Sequence, residues 1–141
     1  MNVAAMDILS DGEHGVNGTG DTVIPIDTAT NKPGKAITVG KGPGPIAITP
    51  NGKTAYVVNG GSDTVTPIST ATNTALKSIK VGRDPVGIAI TPNGKTAYLV
   101  NDVFEPSSTI PGTVIPLRIA TGTLGKAIKV GIGPDAIAIT P

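Results

Sequence analysis

The chain has no cysteine and a single histidine, His14, in its 141 residues. A disulfide framework, a thiolate nucleophile and a cysteine-containing zinc site are thereby excluded. The lack of cysteine does not fix a redox compartment, because many exported proteins also use none. Tryptophan is absent, and Tyr56, Tyr98 and Phe104 are the only aromatic residues. The core must therefore be packed from Ile, Val and Ala interdigitating between layers. Neither sign of charge predominates: 11 Lys+Arg against 10 Asp+Glu leave a net +1. That balance supplies no global field to steer nucleic acid, an acidic substrate or an anionic membrane. No apolar run approaches the roughly 20 residues of a membrane helix. The opening Met1-Asn2-Val3-Ala4-Ala5-Met6-Asp7 carries neither the basic nor the apolar region of a signal peptide.

What is plentiful points to strands. With 19 Gly and 13 Pro there is no room for long helices. Ile, Val and Thr make up about 35 % of the chain against five leucines, and β-branched side chains, stiff at χ1, suit a pleated sheet. The composition reads as all-β.

An internal repeat organises these strands. Ile46-Ala47-Ile48-Thr49-Pro50-Asn51-Gly52-Lys53-Thr54-Ala55-Tyr56 returns 42 residues later as Ile88-Ala89-Ile90-Thr91-Pro92-Asn93-Gly94-Lys95-Thr96-Ala97-Tyr98, and begins again at Ile137-Ala138-Ile139-Thr140-Pro141. The second interval is seven residues longer, which places an insertion around Val103 to Pro111. In step with this motif run Asp21-Thr22-Val23-Ile24-Pro25-Ile26, Asp63-Thr64-Val65-Thr66-Pro67-Ile68 and Gly112-Thr113-Val114-Ile115-Pro116-Leu117.

Each unit predicts four short antiparallel strands, a to d. Strand a is expected over Ile88 to Thr91, strand b over Thr96 to Asn101, strand c over Thr64 to Ser69 and strand d over Leu76 to Val81. Strand b is apolar on both faces and should be buried on both. The Pro92-Asn93-Gly94 turn joins a to b, with proline fixing φ and glycine accepting positive φ. A four-stranded unit of this length is one blade of a β-propeller; a three-stranded solenoid is the competing reading. The expected blades span about 6–39, 46–81 and 88–130, with an extra strand over 136–141. Aligning Asp11-Gly12 with Asn51-Gly52 makes Met6 to Leu9 a strand a in a defective first blade. Pro25, Pro67 and Pro116 recur in mid-strand c, which requires a bulge or a position whose missing N–H lies off the ladder.

The Thr54-Ala55-Tyr56-Val57-Val58-Asn59-Gly60-Gly61-Ser62-Asp63-Thr64-Val65 segment, its Pro-Asn-Gly-Lys lead-in and the Ser69-Thr70-Ala71-Thr72-Asn73-Thr74 tract resemble the YVTN-type β-propeller repeat of YncE-like and surface-layer proteins of bacteria and archaea. The resemblance covers roughly residues 21 to 141. It implies a propeller fold and, from the habits of that family, an extracytoplasmic or cell-surface setting; the family's usual ring of about seven blades is more than twice this length.

Chemistry-bearing motifs are sparse. His14 beside Glu13 reads as a solvated turn residue, and no Gly-x-Ser-x-Gly elbow accompanies it. Asp7, Asp11, Glu13 and His14 match neither an EF-hand nor a zinc spacing. Gly40-Lys41-Gly42-Pro43-Gly44-Pro45 lacks the Gly-Lys-Ser/Thr ending of a phosphate loop, and Gly82-Arg83-Asp84-Pro85 and Gly131-Ile132-Gly133-Pro134 mark it as a repeated turn between blades. That turn and the b–c loop share a face where propellers dock ligands, so Lys41, Arg83, Asp84, Asn59, Asp63, Asn101 and Asp102 form the candidate binding surface. Lys35, Lys77 and Lys126 fill one repeat column at the start of strand d, as edge protection or as a basic rim for a polyanion. Asn17-Gly18-Thr19 is a glycosylation sequon of the kind chance supplies.

The expected function is a non-catalytic propeller scaffold for protein or cell-surface interaction, with no cofactor and no metal. A propeller enzyme of lactonase or haem-oxidoreductase type and a polyanion binder are the alternatives. The expected partner is a second copy of the chain, giving a homodimer closed by strand exchange into a six-bladed ring, or else the further blades of a longer chain.

Overall fold

The computed structural model describes residues 3–9, 20–103 and 109–141, the first of these by its backbone. His14, Glu13, Asp11, the Asn17-Gly18-Thr19 sequon and residues 104–108 of the insertion lie outside the described residues.

The described residues form fourteen strands: β1 (Val3–Leu9), β2 (Thr22–Asp27), β3 (Lys32–Pro33), β4 (Ile37–Thr38), β5 (Pro43–Ile48), β6 (Thr54–Asn59), β7 (Thr64–Ser69), β8 (Thr74–Ala75), β9 (Ile79–Lys80), β10 (Pro85–Ile90), β11 (Thr96–Asn101), β12 (Thr113–Arg118), β13 (Thr123–Leu124) and β14 (Ile128–Lys129). They make three antiparallel sheets in chain order, β1-β2-β3/β4, β5-β6-β7-β8/β9 and β10-β11-β12-β13/β14. The inner strands β5 and β10 stand side by side, as do β4 and β8 further out, so the sheets stack face to face as blades.

Strands b and c of the second and third blades fall where the sequence places them. The turn between a and b follows its chemistry closely. Gly52 (φ 69) and Gly94 (φ 67) take the left-handed region. Asn51 Oδ1 accepts from the Thr49 hydroxyl at 2.7 Å and the Lys53 N–H at 3.0 Å, and Asn93 repeats both bonds with Thr91 and Lys95. Strand a starts earlier than expected, at Pro85 rather than Ile88. A bulge between Pro85 and Gly87 absorbs the extra residues, and another lies between Pro43 and Ile46.

Strand d is not continuous. It splits into two-residue pieces, β3/β4, β8/β9 and β13/β14, each pair separated by three residues that lie opposite the strand c proline and the residue before it. The strand c proline explains the split. Within a strand, a residue's N–H and C=O point to the same side. Pro25, Pro67 and Pro116 accept through their carbonyls from Gly34, Leu76 and Gly125 at 2.7, 2.8 and 2.7 Å. Their missing N–H groups therefore face strand d, and the ladder is interrupted where the donor is lacking. The sequence left open whether these prolines sit in a bulge or off the ladder; they sit on the ladder and break its outer rung.

The first blade is registered differently from expectation. β1 pairs with β2, a strand c, and Met6 stands opposite Pro25 as Tyr56 stands opposite Pro67 and Tyr98 opposite Pro116. Met6 to Leu9 thus occupy strand b, not strand a, and Ala5-Met6 is the counterpart of Ala55-Tyr56. The Asp11-Gly12 anchor misled because the b–c connection of this blade is much longer than the second blade's Gly60–Ser62 turn. Likewise, Ala136 to Pro141 carry the strand a sequence yet form no strand, because no strand b faces them among the described residues.

Two apolar layers hold the blades. Val23, Ile37, Ala55, Val57 and Ile68 fill the seam between the first and second. Tyr56, Val58, Val65, Val81, Ala97, Leu99 and Leu117 fill the seam between the second and third. β6 thus sends Ala55 and Val57 one way and Tyr56 and Val58 the other, the two-sided burial that its unbroken apolar run required.

Candidate functional site

The seven loop-face residues fall into two groups, one at each seam. Between the first and second blades, Gly60 and Gly61 donate their N–H groups to the carbonyls of Gly42 and Lys41 at 2.9 and 3.0 Å. The Gly42 N–H donates to Asp21 Oδ1 at 3.1 Å. Asn59, fully buried, donates through Nδ2 to the hydroxyls of Thr64 at 3.1 Å and Thr66 at 2.9 Å. The network continues from Thr66 to Ser78 and from Thr64 to Ser62, each at 2.9 Å.

Between the second and third blades the pattern recurs. Asp63 Oδ1 accepts from the Asp84 N–H at 3.0 Å, and the Asp102 N–H donates to the Asp84 carbonyl at 2.9 Å. Asn101 Nδ2 donates to the carbonyls of Val81 and Arg83, both at 3.2 Å. Asp63 (φ 57) and Asp84 (φ 45) lie in the left-handed region, a conformation that Asp tolerates better than most residues through local hydrogen bonds. Gly40 and Gly82 are required by close approach. A Cβ on Gly40 would stand 2.5 Å from Ser62 Oγ, and one on Gly82 would stand 2.5 Å from Asn101 Nδ2.

Asp63, Asp84, Asn59, Asn101 and Asp102 are thus engaged in joining strands and blades, while Lys41 and Arg83 stay exposed. The Oδ1 atoms of Asn59 and Asn101 are buried without a hydrogen-bond partner. Sequence reasoning missed Asp21, Thr66 and Ser78. The signal for Asp21 was present, since it shares the Asp-Thr-Val column with Asp63. Among the described residues, no three of His, Asp or Glu gather into a possible metal site, and no helix is long and apolar enough to cross a membrane.

Away from this face, a groove of about 630 Å³ opens at the outer rim between the second and third blades, walled by Tyr56, Pro67, Leu76, Ile79 and Ile119 with Lys77 at its margin. Burial pushes the Tyr56 phenol above its ordinary pKa. A groove of about 540 Å³ occupies the corresponding place one blade earlier, beside Lys35, Ile37 and Asn73. Both follow from the interruption of strand d. Lys35, Lys77 and Lys126 are exposed beside those interruptions, where lysine also opposes edge-to-edge sheet pairing.

Sheets stacked through two-sided strands, an inner strand a beside its counterpart in the next blade, and repeated seam hydrogen bonds define the class: the chain is a partial β-propeller of about three blades. It is similar to a hydrazine synthase of Kuenenia stuttgartiensis, at 29 % identity and a TM-score of 0.75 over 84 % of this chain and 32 % of that one. It is also similar to AztD of Citrobacter koseri, at 18 % identity and a TM-score of 0.65 over 82 % and 31 %. A functionally unknown protein of Desulfotomaculum acetoxidans matches at 24 % identity and a TM-score of 0.58, over 80 % and 36 %. The chain spans about a third of the length of each of these structures. No protein-family profile and no curated sequence matches it.

Proposed function

We propose that this chain is a non-catalytic scaffold of the YVTN-type propeller repeat, whose loop face and rim are presented to another protein or to a cell surface. The observation that carries the reading is the employment of the polar loop-face residues. Asp21, Asp63 and Asn101 spend their side chains on backbone groups of the turns between blades. Groups so bound organise the scaffold, and this supports a structural over a catalytic employment of the loop face. Membership of the YVTN type is supported by the two copies of Pro-Asn-Gly-Lys-Thr-Ala-Tyr at 50–56 and 92–98, and by turns that use the same bonds in both copies.

The test sets stability against turnover. Asp63→Ala and Asn101→Ala should each lower the melting temperature, and the purified protein should hydrolyse lactone, ester and phosphate substrates no faster than buffer. Turnover that disappears in Asp63→Ala while the melting temperature holds would assign the loop face to catalysis and end the scaffold reading.

A further inference from the structure

Among the described residues the inner edge of β1 in the first blade is unpaired, and the C-terminal segment has the sequence of the strand that belongs there. In the second and third blades, strand b is flanked by strand a on one side and strand c on the other. β1, at the strand b position, is flanked only by β2 among the described residues. Ile137-Ala138-Ile139-Thr140 repeats the Ile-Ala-Ile-Thr of both inner strands but has no strand partner among the described residues.

That segment, though unpaired, lies against the third blade where the inner strand of a following blade would stand. Gly112 lies against Pro134, and a Cβ on Gly87 would stand 3.8 Å from Ala136 Cα. Ile88 and Ile90 pack on the layer that faces the preceding blade, as Ile46 and Ile48 do one blade earlier. Ile137 and Ile139 are half-buried in the same alternation, while Ala136, Ala138 and Thr140 between them are exposed. Among the described residues nothing else covers the far face of the third blade. Ile128 is 51 % exposed, whereas Ile37, its counterpart in the first blade, is 7 % exposed beneath the second blade. Val114, which stands opposite Ile128, is half-buried, whereas its counterparts Val23 and Val65 are fully buried.

The geometry points to one occupant for both surfaces: the first blade of a second copy of this chain. The C-terminal segment of each copy adds as strand a to the partner's β1, and the partner's first blade covers the third. The register is set by the repeat. Ala47 and Ala89 stand opposite Tyr56 and Tyr98, so Ala138 stands opposite Met6 of the partner subunit, with Ile137 and Ile139 opposite its Asp7 and Ala5. Two copies of about three blades complete a six-bladed ring on a two-fold axis, inside the range of about four to eight blades in natural propellers. In this pairing β1 is retained as strand b of its own blade. It follows from the fold and not from the proposed scaffold role.

Light scattering on the 141-residue chain should give twice the monomer mass, independent of concentration in the micromolar range; a compact monomer overturns the proposal. The register is tested by cross-linking, which the absence of native cysteine makes clean. A mixture of Met6→Cys and Ala138→Cys chains should oxidise to a covalent dimer, while each variant alone should not. An intrachain disulfide in a monomeric Met6→Cys/Ala138→Cys double variant, or no cross-link in a mixture whose circular dichroism is unchanged, refutes strand exchange. Asp7 occupies the column of Val57 and Leu99, both buried between blades. Asp7→Val should therefore tighten the dimer at least several-fold, and an unchanged dissociation constant refutes the covering of that face.

Discussion

Leu99→Ala probes the seam between the second and third blades at its centre. Leu99 is fully buried and shares its layer with Tyr56, Val58, Val65 and Val81. Deleting a buried leucine to alanine costs about 2–5 kcal/mol, rising with the cavity that remains. Three of these neighbours are valines, each confined by its branched Cβ to few χ1 wells, and they sit in hydrogen-bonded strands or beside one. The cavity cannot collapse readily, so the loss should lie in the upper half of that range, about 3–4 kcal/mol. For a domain of this size that lowers the melting temperature by about 10 °C. Urea unfolding followed by circular dichroism measures it, with the slope against denaturant unchanged. The internal control is Leu76→Ala, because Leu76 is 53 % exposed and its loss should change stability by no more than about 0.5 kcal/mol. A cost below about 1 kcal/mol for Leu99→Ala, or equal costs for the two leucines, would refute the stacking of these blades.

Three further outcomes are expected. Gly82→Ala should destabilise by about 2 kcal/mol or more, because φ is 118 and the new Cβ meets Asn101 Nδ2 at 2.5 Å, while Gly131→Ala in the same column meets nothing within 4 Å and should be nearly neutral on thermal melting. Asp63→Ala should cost about 1–2 kcal/mol through loss of the bond from the Asp84 N–H, and Asp63→Asn, which keeps an acceptor oxygen, should recover most of it in the same melting assay. Tyr56 holds its proton more tightly folded than unfolded, so its contribution is fully present below about pH 10 and is lost as pH rises through the higher folded-state value; Tyr56→Phe should flatten that part of the alkaline stability curve measured by urea titration.

Legibility in the sequence followed repetition. Where two copies agree at all but one position, as in Thr54–Asn59 and Thr96–Asn101, which differ only at Val57 and Leu99, the strand bounds match expectation. The Pro-Asn-Gly turn was readable because it rests on local bonds and one positive φ. Non-local causes were harder to read. That Pro67 breaks strand d depends on which neighbour its nitrogen faces, and this is settled only once strands b and d are paired on either side of it. The first blade was misregistered because its b–c connection is long and Met6 and Leu9 replace the Tyr and Asn that mark strand b elsewhere. For the loop face, the repeated Asp and Asn were visible as a column. Their use as acceptors and donors for the neighbouring turn was not, because those partners are main-chain groups that carry no sequence signal.

The central claim is that successive sheets bury their faces against one another as propeller blades. Nuclear Overhauser effects from the Leu99 methyl groups test it most directly. The account predicts cross-peaks to methyl groups of the second blade, in the layer formed by Val58, Val65 and Val81. Cross-peaks confined to residues of the sheet formed by β10, β11 and β12 would contradict it.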